Sequence, residues 1–191
     1  MRTKDLNKKD RIFKAALVLT KKVGIAGITM SKIAKEAQIA TGTLYIYFKT
    51  KEELIHQLYV KLETESAHRF LQNYDDSLSF KKGIKTIWLN YLKHRIEYFE
   101  ESIFLEQYYH SPYITQQQKE MAEDMKQPVY RLLETGKKNN EIKTQADSQL
   151  LFLAMLGFIR ELAYEHIEGN YELNEDRIEA AFQLNWRMLG S

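Results

Sequence analysis

The chain has 191 residues, 44% apolar and 28% charged, with a formal net charge of +2 and no cysteine. That is enough apolar side chain for one large or two small cores, and it leaves no disulfide and no thiolate metal site. The longest apolar run, Leu150 to Ile159, is about half of what spans a bilayer. The basic N-terminus leads into an apolar segment broken by Lys14 and makes a poor signal peptide, so a cytoplasmic protein with no membrane partner is expected.

Two prolines, eight glycines and no strand-like alternation predict an all-α chain. Residues 7–23 carry Ile12, Ala15, Ala16 and Leu19 at i, i+3, i+4 and i+7, with Asn7 as N-cap and Gly24 and Gly27 closing the helix. Thr29 stands as N-cap of a short second helix to about Ala37, whose apolar face is Ile33, Ala34 and Ala37. Ala37 to Ala40 leaves room only for a tight turn. A third helix spans Thr41–Tyr47, with Leu44 and Phe48 turned toward the second. Two helices joined in this way form a helix-turn-helix, whose second helix can lie in a DNA major groove.

Thr50 with Glu53 is a capping box opening a fourth helix to about Asn73, with Leu54, Ile55, Leu58 and Leu62 on one face. Further helices are predicted over about Phe80–Tyr98, over 101–110, and from a second capping box at Thr115 and Gln118 to about Lys138. Pro128 should kink or split that last one. Thr144 with Asp147 caps a helix over about Ala146–Ile167, and a final helix runs over about Asn174–Leu189. The count is nine, divided as a three-helix domain with the helix-turn-helix (1–51) and a roughly six-helix domain (52–191).

Charge divides the chain at the same place. Residues 1–51 hold 12 Lys+Arg against 3 Asp+Glu, and residues 52–191 hold 16 against 23. An excess of +9 on one small domain is the footprint of a polyanion partner, here double-stranded DNA.

Thr29, Ile33-Ala34, Ala37, Gly42-Thr43-Leu44-Tyr45, Tyr47-Phe48 and Lys51-Glu52-Glu53-Leu54 together resemble the N-terminal signature of the TetR (tetracycline-repressor-type) family of bacterial transcriptional regulators. The likeness covers about residues 8–58. It implies a dimeric repressor whose helical C-terminal domain binds a small effector. The chain departs from the family pattern at Gln38, where the family usually has glycine, and at Ala40, where it often has Ser or Thr. Glycine there tolerates a positive φ, whereas glutamine is strained, and losing the hydroxyl at 40 removes a cap that Thr41 could supply.

Carried residue by residue, the family pattern assigns DNA contacts to Thr29, Thr41, Gly42, Thr43, Tyr45, Tyr47 and Lys51. Thr41 and Thr43 suit a base edge or a thymine methyl, and Gly42 allows close backbone approach. Tyr45 and Tyr47 can donate to phosphate. Lys49 and Lys51 add charge, the latter in the first turn of the fourth helix, whose free N–H groups favour an anion. Ser31 and Lys32 reach the backbone by position. Ile46 is either a methyl reader or a packing residue, and the sequence leaves both open. No Arg, Asn or Gln lies in Thr41–Tyr47, so specificity leans on hydroxyls, apolar contacts and DNA shape.

One seven-residue helix reads too few bases alone, so a homodimer on two half-sites about 34–36 Å apart is expected. Phe158, Leu162, Phe182, Trp186 and Leu189 on the last two helices are its interface candidates. Residues 88–113 hold eight aromatics. Trp88, Tyr91, Phe104 and Tyr108, with Met121, Met125, Phe152 and Met155, are candidates to line an effector pocket for an apolar or aromatic small molecule, the rival reading being plain core. His56, His68, His94, His110 and His166 show no metal spacing, and there is no phosphate loop or nucleophile elbow. No catalytic residue, metal site or cofactor is therefore assigned. The alternatives are an effector-independent DNA-binding or architectural protein and a haem- or metal-sensing regulator.

Overall fold

The computed structural model describes residues 2–189, in which there are nine helices and no strand. They are α1 (Arg2–Gly27), α2 (Met30–Glu36), α3 (Thr41–Tyr47), α4 (Lys51–Phe70), α5 (Phe80–Glu97), α6 (Phe99–Tyr109), α7 (Gln116–Lys138), α8 (Ser148–Ile167) and α9 (Glu175–Met188). They form two compact units, Met1–Glu65 with Phe99–Glu120 and Ser66–Tyr98 with Met121–Ser191. The residues of α4 and α7 are therefore divided between the units. This division differs from the one charge suggests, because α6 and the start of α7 belong with the helix-turn-helix.

The core of the first unit joins the buried stripe of α1 (Ile12, Phe13, Ala16, Leu19) to Ile33, Leu44, Phe48, Leu54, Ile55, Leu58 and Tyr59, and to Phe104 and Tyr108 of α6. Neither α2 nor α3, at seven residues each, is long enough to hold a helix alone, so this shared floor fixes both. Helix α1 is already under way at Asn7, so that residue does not cap it. It breaks at Gly24, whose φ of 70° and ψ of 162° no helix contains. The N–H that the break frees on Ile25 is taken by Gln107 Oε1 of α6 at 2.9 Å, which meets the need of a buried backbone donor for a partner.

The second unit packs Phe80, Ile84, Ile87, Trp88 and Leu92 of α5 against Val129, Leu132 and Leu133 of α7, Leu151, Phe152, Met155 and Ile159 of α8, and Ala181 and Phe182 of α9. A Cβ on Gly136 would lie 2.5 Å from two Phe80 ring atoms, an approach only glycine permits. Pro128 does not split α7. One lost backbone hydrogen bond is outweighed by the apolar face of Ala122, Val129, Leu132 and Leu133, buried on both sides of it. Helix α8 starts at Ser148 with Asp147 as the cap, its carboxylate accepting from Leu150 N at 2.8 Å. Thr144 instead bonds Ala146 N, two residues upstream of the helix.

Candidate nucleic-acid interface

Thr29 opens α2 as expected, its Oγ1 accepting from Lys32 N at 3.3 Å. Helix α2 presses Met30, Ile33 and Ala34 inward. The turn closes with Ile39 N donating to Ala34 O at 3.0 Å, and Gln38 takes φ of 55°. That is the left-handed region, which costs a non-glycine residue about 1–2 kcal/mol. Arg11 holds the strained turn from α1: its Nη2 donates to Ala37 O at 2.6 Å and to Gln38 O at 3.3 Å. In the sequence Arg11 looks like one more charge on the polar side of helix 1. Its spacing from the turn is readable only once α1 is laid against α2.

Ala40 occupies the cap position of α3, with no side-chain hydrogen bond, and Thr41 is the first helical residue rather than the cap. Leu44 and Phe48 are fully buried and hold the helix to the unit, with the Phe48 ring 5.5 Å from that of Phe13. The anchoring leaves Thr41, Gly42, Tyr45 and Ile46 exposed, while Thr43 and Tyr47 are half-buried. The outward surface is thus two i,i+4 rows, Thr41–Tyr45 and Gly42–Ile46. A Cβ on Gly42 would meet nothing within 4 Å, so the backbone itself is open there. Ile46, at 75% exposure, has no packing role in this chain.

The lysines divide into two groups. Lys49 is exposed, and its backbone N–H donates to Glu53 Oε2 at 2.7 Å while Glu53 N donates to Thr50 Oγ1 at 3.1 Å. The capping box at the start of α4 therefore forms with its carboxylate one residue further back than the usual pattern. Ser31 is exposed. Lys32 and Lys51 are both turned to the C-terminal end of α1. Lys32 Nζ donates to Gly27 O at 2.8 Å. Lys51 Nζ donates to Tyr113 OH at 3.1 Å and to Ala26 O at 3.5 Å, and lies 5.0 Å from the Tyr113 ring centre. Glu36, the acidic residue of α2, is paired with Lys22 at 3.3 Å.

The same unit contains a polar hub that sequence alone does not suggest. Gln118, buried in the first turn of α7, accepts at Oε1 from Thr115 N at 2.9 Å and from Tyr108 OH at 3.1 Å, and its Nε2 lies 3.1 Å from His56 Nδ1 of α4. The capping box at Thr115 and Gln118 is thus a tertiary fastening as well as a local one. Burial of Tyr108 raises its hydroxyl pKa, which keeps it a neutral donor.

The effector-pocket candidates divide between two cores. Phe104 and Tyr108 lie in the first, and Trp88, Phe152 and Met155 in the second. Tyr91 packs edge-on against Phe70, and Met121 and Met125 are half-buried. Among the interface candidates, Phe182 and Leu189 are 1% exposed and belong to the chain's own core, while Phe158, Leu162 and Trp186 are half-buried against it. Outward-facing apolar side chains on these two helices include Leu150 and Leu153 on α8 and Leu184 and Met188 on α9. No helix among the described residues is long and apolar enough to cross a membrane.

An all-helical chain with a helix-turn-helix whose second helix buries one face and leaves the other open is the architecture of a DNA-binding transcriptional regulator. Residues 12–58 match the family described as "Bacterial regulatory proteins, tetR family", and residues 80–189 match a "Tetracyclin repressor-like, C-terminal domain". The chain belongs to the TetR family of transcriptional regulators and is not an enzyme. It is similar to an HTH-type transcriptional regulator of Haemophilus influenzae, 25% identical over 94% of each chain. A TetR-family regulator from Marinobacter aquaeolei shares the fold with a TM-score of 0.85, at 23% identity over 97% of each chain. So does the transcriptional regulator FadR of Bacillus subtilis, solved in complex with stearoyl-CoA, with a TM-score of 0.68 and 19% identity over 95% of this chain and 97% of that one.

Proposed function

We propose that this regulator is a dimeric repressor that leaves a two-fold-symmetric operator when a small molecule with a long apolar body binds its second unit. The observation that carries the effector is Trp88. Its side chain is fully buried and its indole N–H has no acceptor, in a core otherwise built of Ile84, Leu92, Phe152, Met155 and Phe182. An unmet buried donor costs about 1–3 kcal/mol, which a ligand carbonyl or hydroxyl would recover while its apolar part replaces core contacts. The likeness in fold to a regulator that binds stearoyl-CoA makes a fatty acyl thioester the first candidate.

The dimer is supported by the exposed apolar side chains of Leu150 and Leu153 on α8 and of Leu184 and Met188 on α9. A Cβ on Gly157 would meet nothing within 4 Å, so a partner helix can come close to the α8 backbone there. The sign of regulation follows the family's usual one. Helix α4, whose residues belong to both units, is the continuous element through which a ligand would shift the dimer away from its DNA-competent geometry. Ser31, Lys49, Thr41 and Tyr45 are the groups we assign to DNA from this face. Lys32 and Lys51 we assign to phosphate only where they exchange their present partners, the Gly27 carbonyl for the one and the Tyr113 hydroxyl and Ala26 carbonyl for the other, for it.

The test uses a duplex enriched from a random pool by the full chain, end-labelled and followed by anisotropy. Stearoyl-CoA is added, with coenzyme A alone as control. Release by the thioester and not by coenzyme A is expected. Undiminished binding with acyl thioesters, bile acids, flavonoids and hydrophobic drugs alike would favour the effector-independent DNA-binding protein instead.

A further inference from the structure

Of all the large apolar side chains exposed among the described residues, Ile46 is the most exposed, and it stands on the outward surface of α3 in its last turn. Its neighbours on that surface are Thr41 and Tyr45, which have hydroxyls, and Gly42, which has no side chain. Gly42 is one helical turn before it on the same row. With nothing projecting from position 42, a surface laid against that row meets the isoleucine first.

We infer that Ile46 is a specificity-determining residue of this DNA-binding helix and that its ligand is the C5-methyl group of one thymine in each half-site. The chemistry leaves little else. Isoleucine cannot donate or accept a hydrogen bond, so neither phosphate nor the polar edge of a base rewards it. In the major groove the apolar feature that tells one base pair from another is the thymine methyl. Packing within the protomer is ruled out by its exposure, and Leu44 and Phe48, both fully buried, already supply the anchor. An isoleucine that merely pointed at a phosphate would lose water on both sides without recompense. Two other candidates carry less. The cleft lined by Arg69, Asn90, Lys93, His94 and Tyr98 also contains Glu97 and pairs it with Lys93 at 3.9 Å. The exposed apolar side chains of α8 and α9 belong to the dimer already proposed.

The inference rests on DNA binding by the helix-turn-helix but not on any effector. Its test starts from the duplex that the full-length chain enriches from a random pool. Each thymine of a half-site is replaced in turn by deoxyuridine, which removes one methyl group and leaves every hydrogen-bonding atom in place. For the wild-type chain one position per half-site is expected to lose about fourfold in affinity, the equivalent of one buried methyl group. In Ile46→Ala, affinity for the unmodified duplex falls by at least as much, and the deoxyuridine at that position has no further effect. A flat deoxyuridine scan with the wild-type chain overturns the inference without recourse to any variant. So does a sensitive position whose loss is the same in Ile46→Ala. Failure to enrich any sequence overturns DNA reading by α3 as a whole, and the methyl contact with it.

Discussion

His94 provides a quantitative check on the second unit. It sits near the end of α5, 4% exposed, with Nε2 3.4 Å from Ser66 Oγ and its ring stacked on Tyr98 at 5.5 Å. Burial, and after it the positive charges of Arg69 and Arg95, push its pKa from the ordinary 6.5 down to about 4. The folded chain therefore holds this imidazole neutral down to about pH 4, whereas the unfolded chain protonates it below pH 6.5. Between those values the unfolded state binds more protons, so stability is full above pH 6.5 and falls as the pH drops toward 4. From pH 7.5 to pH 5 the loss is about 2 kcal/mol, or about 5 °C in the unfolding temperature for a chain of this size. Asp75 and Glu179, whose pKa values are lowered by Ser77 and Lys85 respectively, lose their contributions only below the ordinary carboxylate range, so they do not mask this window. Urea unfolding of the wild type and of His94→Gln, at pH 7.5 and pH 5, isolates the effect. The wild type should lose stability and the glutamine variant should not. An equal loss in both would refute the buried, neutral histidine.

Two further predictions concern the turn and the dimer. Gln38→Gly removes a left-handed cost of about 1–2 kcal/mol and adds a glycine entropy penalty of about 0.5–1 kcal/mol. A net gain of about 1 kcal/mol in urea unfolding is expected, with DNA affinity retained, and a loss would mean that φ at 38 is not strained. Leu153→Arg with Leu184→Arg places charges where the proposed dimer is apolar, at positions 59% and 60% exposed in the protomer. Sedimentation should show a folded monomer, weakened in association by at least about 3 kcal/mol. An undisturbed dimer would locate the interface elsewhere.

Much of this fold was legible because local chemistry marks it. Thr29, Thr50 with Glu53, and Thr115 with Gln118 start helices where their capping patterns stand, and the glycine break at 24 lies where the first helix was expected to stop. Gln38 takes the positive φ that its departure from the family pattern implied. What was not legible depends on which of two apolar stripes turns inward. Helix α8 is apolar almost all round, so periodicity cannot choose between Phe152 and Leu153, and only packing sets the first inside and the second out. The aromatic run from 88 to 113 reads as one cluster, yet the chain leaves the helix at Tyr98, with φ of −117° and ψ of 42°. That break lies where the fifth helix is expected to end, but helical spacing does not say that it sends Trp88 and Phe104 to different cores. Arg11, Tyr113 and Gln118 act through partners 26 to 62 residues away, a separation that no spacing rule covers.

The central claim is that the exposed face of α3 reads the duplex while its buried face only holds the helix in place. Its most direct measurement is the dissociation constant of the full-length chain for its enriched duplex, wild type against Thr41→Ala with Tyr45→Ala, beside the unfolding temperature of each. Both side chains are exposed, so affinity should fall at least about tenfold, the scale of one lost base or phosphate contact, while the unfolding temperature stays within about 1 °C, as surface substitutions do. Unchanged affinity in a folded variant would contradict the account.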